Sequence, residues 1–192
     1  MLTSIALYVA WSSGAAFTLN PLGDEGAALP TTRTAPVSGR EFVVGYCLSG
    51  AVVGVPVAAA VTVVAGAVGG TDPVAVAAVA VLGAVLAACS TGIAAGAGTA
   101  FPKFEESRIT RSRSAVVPSL LAFGGYSIGL FLAGAPGSLA QVGPVRGAAA
   151  GWLSVGGSTV LVAGLALTAA LSVLGALAGA AYASRGFERY EL

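Results

Sequence analysis

The chain alternates between long apolar stretches and short segments that carry its charges. The stretches that contain no Asp, Glu, Lys or Arg cover residues 1–23, 42–71, 73–102, 114–145 and 147–184. A helix needs about 20 apolar residues to cross a hydrocarbon core about 30 Å thick. We therefore predict one transmembrane helix in each stretch, near residues 2–19, 43–68, 74–100, 116–133 and 157–183.

This pattern predicts an all-α fold, a polytopic membrane helical bundle of about five transmembrane helices that forms one domain over residues 1–192. The last two stretches are longer than single crossings require, and the surplus at 134–156 contains Pro136, Pro144 and several glycines. Such residues break helices. We expect a short re-entrant or interfacial segment there, on the outer side of the membrane.

The basic residues divide unequally between the two sides of this bundle. Eight of the nine lie in the loops 20–41 and 101–114 or in the tail 185–192, and alternation of crossings places these on one side. Only Arg146 falls on the other. The positive-inside rule then predicts a multi-pass protein of the cell membrane, with its N-terminus outside and its C-terminus cytoplasmic. Residues 1–19 lack the basic start of a signal peptide, so we expect this segment to be kept.

Composition excludes several classes of protein. Apolar residues make up 56% of the chain and charged residues 9%, against about 25% charged in a soluble domain. The bilayer is therefore the expected solvent, and membrane lipids are expected partners. A net charge of +1, with no basic cluster among aromatic residues, argues against a nucleic-acid partner.

Small residues dominate the predicted crossings. Glycine at GxxxG spacing lets two helix backbones approach closely, so that van der Waals contact replaces the missing hydrophobic drive. Pairs at this spacing, which we interpret as helix-packing positions, are Gly50 and Gly54, Gly92 and Gly96, Gly125 and Gly129, and Gly175 and Gly179.

The sequence offers little material for catalysis, metal binding or cofactor binding. It contains no histidine, and its one lysine, Lys103, lies in a loop. Asp72 is the one acid close to a crossing and is interpreted as a turn former in Gly-Gly-Thr-Asp-Pro. Cys47 and Cys89 lie within apolar stretches and are expected to be buried thiols. No G-x-x-x-x-G-K phosphate loop is present, so the chain is not expected to be an enzyme that hydrolyses ATP by itself.

The first loop, residues 20–41, is the unusual segment. It carries three prolines, a Gly-Asp-Glu-Gly turn and mixed charges, and its Ala-Leu-Pro-Thr-Thr-Arg segment could form a short interfacial helix. Binding residues concentrate on loops. We expect this loop to dock on a partner.

The loops and the tail resemble those of permease subunits of prokaryotic ABC-type exporters. The resemblance rests on these residues: Asn20, Gly23, Glu25-Gly26, Leu29, Ala35-Pro36-Val37-Ser38-Gly39-Arg40 and Gly45, then Phe101-Pro102 with Phe104-Glu105, Val117-Pro118-Ser119, and the ending Arg185-Gly186-Phe187-Glu188-Arg189-Tyr190. The resemblance extends over nearly the whole chain. Its motifs gain their specificity in combination.

The resemblance implies a six-helix half whose first cytoplasmic loop couples to an ATP-binding cassette ATPase subunit. It implies polar coupling contacts from Glu25, Arg33 and Arg40, and apolar ones from Leu29 and Val37. It also implies a second permease half or a homodimer, and short re-entrant helices at 134–156. The family's first crossing has no counterpart here, so the chain is expected to correspond to the C-terminal portion of such a permease.

Two other functions fit the same pattern of residues. One is a non-transporting membrane scaffold or assembly subunit, stabilised by the same glycine-rich packing. The other is a truncated permease remnant. Because the crossings expose small and aliphatic side chains, an apolar cargo is compatible with them, but the sequence does not specify a substrate.

Overall fold

A computed structural model describes residues 2–110 and 113–189, and it confirms the all-α polytopic bundle. The helices are α1 (Leu2–Phe17), α2 (Pro21–Glu25), α3 (Leu29–Thr34), α4 (Gly39–Val68), α5 (Pro73–Ala100), α6 (Leu120–Ala140), α7 (Gly143–Leu153) and α8 (Gly157–Arg189). A single 3-10 turn, Gly26–Ala28, joins α2 to α3.

Four helices in the described part, α4, α5, α6 and α8, are long and apolar enough to cross a membrane. The remaining predicted crossing corresponds to α1, which is apolar but has 16 residues. At 1.5 Å per residue it extends about 24 Å, less than a hydrocarbon core of about 30 Å. The structure therefore supports a multi-pass membrane protein, with α1 shorter than a full crossing.

Side chains next to the apolar stretches set where the long helices begin. Ser38 and Glu41 form a capping box at the start of α4, in which each side chain binds the other residue's backbone N–H. Asp72 caps α5, accepting a hydrogen bond from Ala75 N–H at 3.0 Å, and Pro73 follows at the first helical position. Ser119 caps α6 in the same way through Ala122 N–H at 3.0 Å.

Helix α6 runs further than the sequence indicated. It continues through Pro136 to Ala140, whereas a break was expected from Gly134 onward. A hydroxyl from α8 supports this stretch, because Thr168 Oγ1 accepts a hydrogen bond from Gly137 N–H at 2.8 Å. The break comes at residues 141–142 instead, and α7 follows it.

The third loop contains a short antiparallel hairpin that the sequence reading did not anticipate. Strand β1 (Glu106–Thr110) pairs with β2 (Arg113–Val116), with Glu106 opposite Val116. The predicted loop 101–114 is therefore partly a two-stranded ribbon, while the bundle itself remains helical.

Helix α5 occupies the centre of the bundle and contacts α1, α4, α6 and α8. In the 18-residue apolar stretch of α5, 50% of the residues are buried, against 11% in the corresponding stretch of α8. Helix α8 therefore faces outward along most of its length. The largest core cluster lies between α1, α5 and α6 and includes Leu7, Leu86, Tyr126 and Leu130. The Tyr126 hydroxyl donates to the Trp11 carbonyl oxygen at 2.7 Å, which ties α6 to α1.

Glycines make the closest approaches between helices. A Cβ atom at Gly92 would lie 2.7 Å from the Ala176 carbonyl oxygen, and one at Gly96 would lie 2.5 Å from Gly179 Cα. At Gly179 a Cβ would meet the Gly92 carbonyl oxygen. Helices α5 and α8 are therefore in backbone contact, which a larger residue at these positions would prevent.

The other predicted packing glycines differ in their surroundings. A Cβ at Gly50 would lie 2.9 Å from Thr91 Cγ2, and one at Gly54 would lie 2.8 Å from Ser13 Oγ. Helix α4 therefore packs against α5 and α1 at these points. The packing is looser at Gly175 and Gly129, where a Cβ would lie 3.3 and 3.6 Å from the Ile93 side chain. Gly125 has no described atom of a neighbouring element within 4 Å of its Cβ position, so it forms no close packing contact there.

We expect Gly179→Ala to destabilise the protein, because its new methyl group would overlap the Gly92 backbone. Overpacking of this kind costs about 1–3 kcal/mol. The matched control is Gly125→Ala, whose methyl group enters open space and which gains up to about 1 kcal/mol of helix propensity. The measurement is the midpoint of thermal unfolding in detergent micelles. Equal shifts of the two midpoints would contradict backbone contact between α5 and α8.

Candidate functional site

The candidate site is the end of the bundle that carries the first loop, the third loop and the end of α8. We call it the loop end. The Ser119 hydroxyl donates to the Phe101 carbonyl oxygen at 2.8 Å, which joins α5 to α6 there. At Gly39 a Cβ would meet the Ser184 carbonyl oxygen, so the start of α4 packs against the end of α8. The first loop, the described part of the third loop and the end of α8 therefore meet at one end.

Asn20 fixes the first loop to the third. Its side chain is 1% exposed, and its amide group donates to the Lys103 carbonyl oxygen at 2.8 Å. The Lys103 N–H donates back to Asn20 Oδ1 at 3.2 Å. An amide side chain is suited to this pairing because it carries a donor and an acceptor side by side. Asn20 is the only asparagine in the chain.

Two glycines leave room for this connection. At Gly23 a Cβ would meet both the Lys103 carbonyl oxygen and the Asn20 amide. At Gly98, in α5, a Cβ would meet the Leu19 carbonyl oxygen and would lie 3.0 Å from Pro21 Cδ. The chain between α1 and α2 therefore runs directly over the backbone of α5.

The short helices α2 and α3 rest on an apolar cluster. Leu22 and Leu29, which are 2% and 3% exposed, pack with Phe42 and Val43 of α4, Ala95 of α5, and Ala183 and Phe187 of α8. The rings of Phe42 and Phe187 stack, with centroids 4.4 Å apart. The first loop is therefore anchored on three helices of the bundle at once.

The predicted coupling residues divide between this anchor and the surface. Leu29, expected to contact a partner, is instead buried against the bundle, because an apolar side chain at the start of α3 faces the α4–α8 cluster. Glu25 is half-buried and accepts a hydrogen bond from the Thr32 hydroxyl at 2.8 Å. Val37 is 40% exposed and Arg40 is exposed. The Arg33 side chain lies outside the described ones.

Two carboxylates of the loop end have pKa values shifted in opposite directions. Burial raises the pKa of Asp24, a hydrogen bond with Asn20 opposes that shift, and the charge of Glu25 adds to it. Hydrogen bonds from the Ser38 backbone N–H and hydroxyl, both at 2.8 Å, lower the pKa of Glu41. Folding therefore disfavours the charge on Asp24 and favours the charge on Glu41.

The described residues contain no group of three or more His, Cys, Asp or Glu side chains that could hold a metal ion. What the loop end offers is an exposed surface built on a backbone that is attached to the bundle. The sequence pattern predicts this loop but not its attachment to the third loop. The feature that could have indicated the attachment is Asn20, which stands in Asn-Pro-Leu-Gly directly after an apolar stretch that contains no other amide side chain.

Comparison with known proteins places the chain in no group. No protein-family model matches it, and no curated protein and no solved structure does so either. The fold and the loop end therefore define the class only as a multi-pass helical membrane protein with a structured loop surface.

We expect Asn20→Ala to loosen the third loop, because two hydrogen bonds to the Lys103 backbone are lost. The free energy of unfolding is expected to fall by about 2 kcal/mol or more, since the Lys103 carbonyl oxygen and N–H lose their partner at a buried position. Hydrogen–deuterium exchange should become faster in the peptide that contains Lys103. The control is Thr34→Ala, because Thr34 is exposed and its hydroxyl binds only the Thr31 carbonyl oxygen in its own helix. Unchanged exchange in Asn20→Ala would rule out this attachment.

We expect Asp24→Asn to raise the unfolding midpoint at pH 7. A carboxyl whose pKa is raised on folding stabilises the folded state at low pH, and this is lost as pH rises through the folded pKa. The gain should shrink as pH falls toward 3.8, the ordinary pKa of the group. The midpoint is measured in detergent between pH 4 and pH 8. Glu41→Gln should show the opposite sign at pH 7, and a gain in Asp24→Asn that is the same at every pH would contradict the assignment.

Proposed function

We propose that this chain is the membrane-spanning permease part of an ATP-driven exporter, and that a separate ATP-binding subunit docks on residues 20–41. The observation that carries the proposal is the anchoring of the first loop. Asn20 attaches it to the third loop, and Leu22 and Leu29 attach it to α4, α5 and α8. A force applied to α2 and α3 is therefore transmitted to three long helices.

The face of the first loop that points away from the bundle exposes both polar and apolar side chains, as protein-binding surfaces commonly do. Pro30, Thr31, Thr34, Pro36 and Val37 are all exposed on α3 and the turn after it. Arg40 is exposed one turn further along the chain. In the proposed coupling, Arg40 therefore makes a polar contact and Val37 an apolar one. Leu29 instead packs against α4, α5 and α8 and holds the loop on the bundle.

The proposed orientation is based on charge. In the sequence, eight of the nine basic residues belong to the first loop, the third loop and the C-terminal tail, and under the positive-inside rule such segments would face the cytoplasm. ATP is available on that side. Because the sequence has no phosphate loop of its own, the nucleotide would be hydrolysed by the docked subunit. Closure of two such subunits would rotate the spanning helices against a second permease half or a second copy.

We expect Val37→Asp and Arg40→Glu to prevent an ATPase subunit from remaining bound during purification. Each variant places an acidic side chain on the proposed docking surface. The matched controls are Val155→Asp and Arg146→Glu, since both residues lie near α7 at the opposite end, and Val155 is exposed to 41%. The tagged protein is purified from membranes of its source cells in mild detergent. Retained proteins are identified by mass spectrometry, and ATP hydrolysis is measured.

The proposal requires that the wild-type protein and both controls retain a protein with a G-x-x-x-x-G-K-[ST] loop and ATPase activity. The two loop variants should retain at most about a tenth of it. Retention of other membrane proteins, without any ATPase, would replace the proposal with a scaffold function. If all four variants bound an ATPase equally, the docking site would lie elsewhere.

A further inference from the structure

A cavity of about 520 Å³ opens at the end of the bundle opposite the first loop. Its walls come from α5 (Val74, Ala75, Ala78 and Val79) and α8 (Leu161, Val162 and Leu165), with Leu2 of α1. The volume lies within the roughly 300–1,000 Å³ of small-molecule sites. The same two helices that touch backbone to backbone at Gly92 and Gly179 thus enclose a cavity near their other ends.

The polar groups of this cavity are gathered at its rim. Thr71, Asp72 and Gln141 line it beside walls that are otherwise aliphatic. Asp72 is exposed, and it is the only acid between Phe42 and Pro102. Its Oδ2 caps α5 through Ala75 N–H. No basic side chain of the described residues pairs with its carboxylate, and Arg146, the basic residue of this end, lines a different hollow between α6, α7 and α8.

We propose that this cavity binds a single-chain amphiphile with a cationic head, its alkyl chain between α5 and α8 and its head beside Asp72. The occupant is chosen by complementarity, since an aliphatic wall accepts an alkyl chain and the Asp72 carboxylate at the rim attracts a cation. The sequence suggested that Asp72 is merely a turn former. The capping bond agrees with that role, but it leaves the negative charge of the side chain at the mouth of the cavity.

The proposal is independent of export, because it concerns binding and needs no ATPase subunit. It also differs from general solvation by lipid. A bilayer lipid has two chains and covers the whole apolar surface, whereas this cavity is confined to one end and has the Asp72 carboxylate at its rim. The site is therefore expected to be saturable and selective for the charge of the head group.

The test uses the purified full chain in nanodiscs of digalactosyldiacylglycerol, a bilayer lipid whose neutral head carries no cation, and three photoactivatable probes. Each probe carries the same dodecyl chain with a diazirine, and the heads are trimethylammonium, sulfate and maltoside. Crosslinked peptides are identified by mass spectrometry as a function of probe concentration. Saturable labelling of residues 71–79 and 161–165 is expected with the trimethylammonium probe alone.

Asp72→Asn is the decisive variant, because Asn is as good a helix cap as Asp and only the charge is removed. Its apparent affinity for the cationic probe should fall about three- to fivefold, as expected for one partly exposed charge pair. The matched control is Glu105→Gln, which neutralises an exposed acid in the third loop and should leave labelling unchanged.

A second pair of variants tests the cavity itself. Ala78→Phe would place a ring in the cavity and should abolish saturable labelling, while Ala77→Phe adds the same ring at an exposed neighbour that does not line it. Equal labelling by the sulfate probe would overturn the proposal, and so would an unchanged affinity in Asp72→Asn. Loss of labelling when phosphatidylcholine replaces part of the galactolipid would also overturn it, since a two-chain bilayer lipid would then be the occupant.

Discussion

Backbone contact between α5 and α8 is the interaction on which the rest of the structure depends. In a bilayer, helices gain nothing from hiding apolar side chains, because lipid is as apolar as they are. Van der Waals contact takes the place of that gain, and it is close where Gly92 and Gly96 meet Gly179 without intervening side chains. This contact brings the end of α8 to the start of α4, and the two form the base on which the first loop is anchored.

The second requirement of a bilayer is that polar groups find partners within the protein. Thr62 and Ser90 are fully buried and donate to carbonyl oxygens of their own helices. Each hydroxyl therefore keeps a hydrogen-bond partner in the core. Thr168 instead reaches from α8 to the backbone of α6 beside Pro136. A proline removes one backbone donor from a helix. The Thr168 hydroxyl accepts a hydrogen bond from the N–H of Gly137, the residue after Pro136, and so gives that donor a partner where the proline disturbs the helix hydrogen bonds.

The sequence was sufficient for those features that depend on local composition. Uncharged stretches marked the long helices. Glycine spacing marked Gly92, Gly96 and Gly179 as packing positions, although it did not indicate that α5 and α8 meet there. Features that depend on a distant partner could not be predicted. The hydrogen bond that supports the end of α6 comes from Thr168, which lies 31 residues from Gly137. The burial of Leu29 requires Phe187 on the last helix, and the open surroundings of Gly125 depend on where the neighbouring helices lie.

The position of the α5–α8 contact also relates the two proposed sites to each other. The first loop lies on one side of this contact along the bundle, and the cavity beside Asp72 lies on the other. At the contact itself Gly92 and Gly179 leave no room for a side chain between the two backbones, so α5 and α8 form one packed unit that carries a different surface at each end. A change of residue at this contact would therefore disturb both ends of the bundle, whereas a change at either end alone would leave the contact in place.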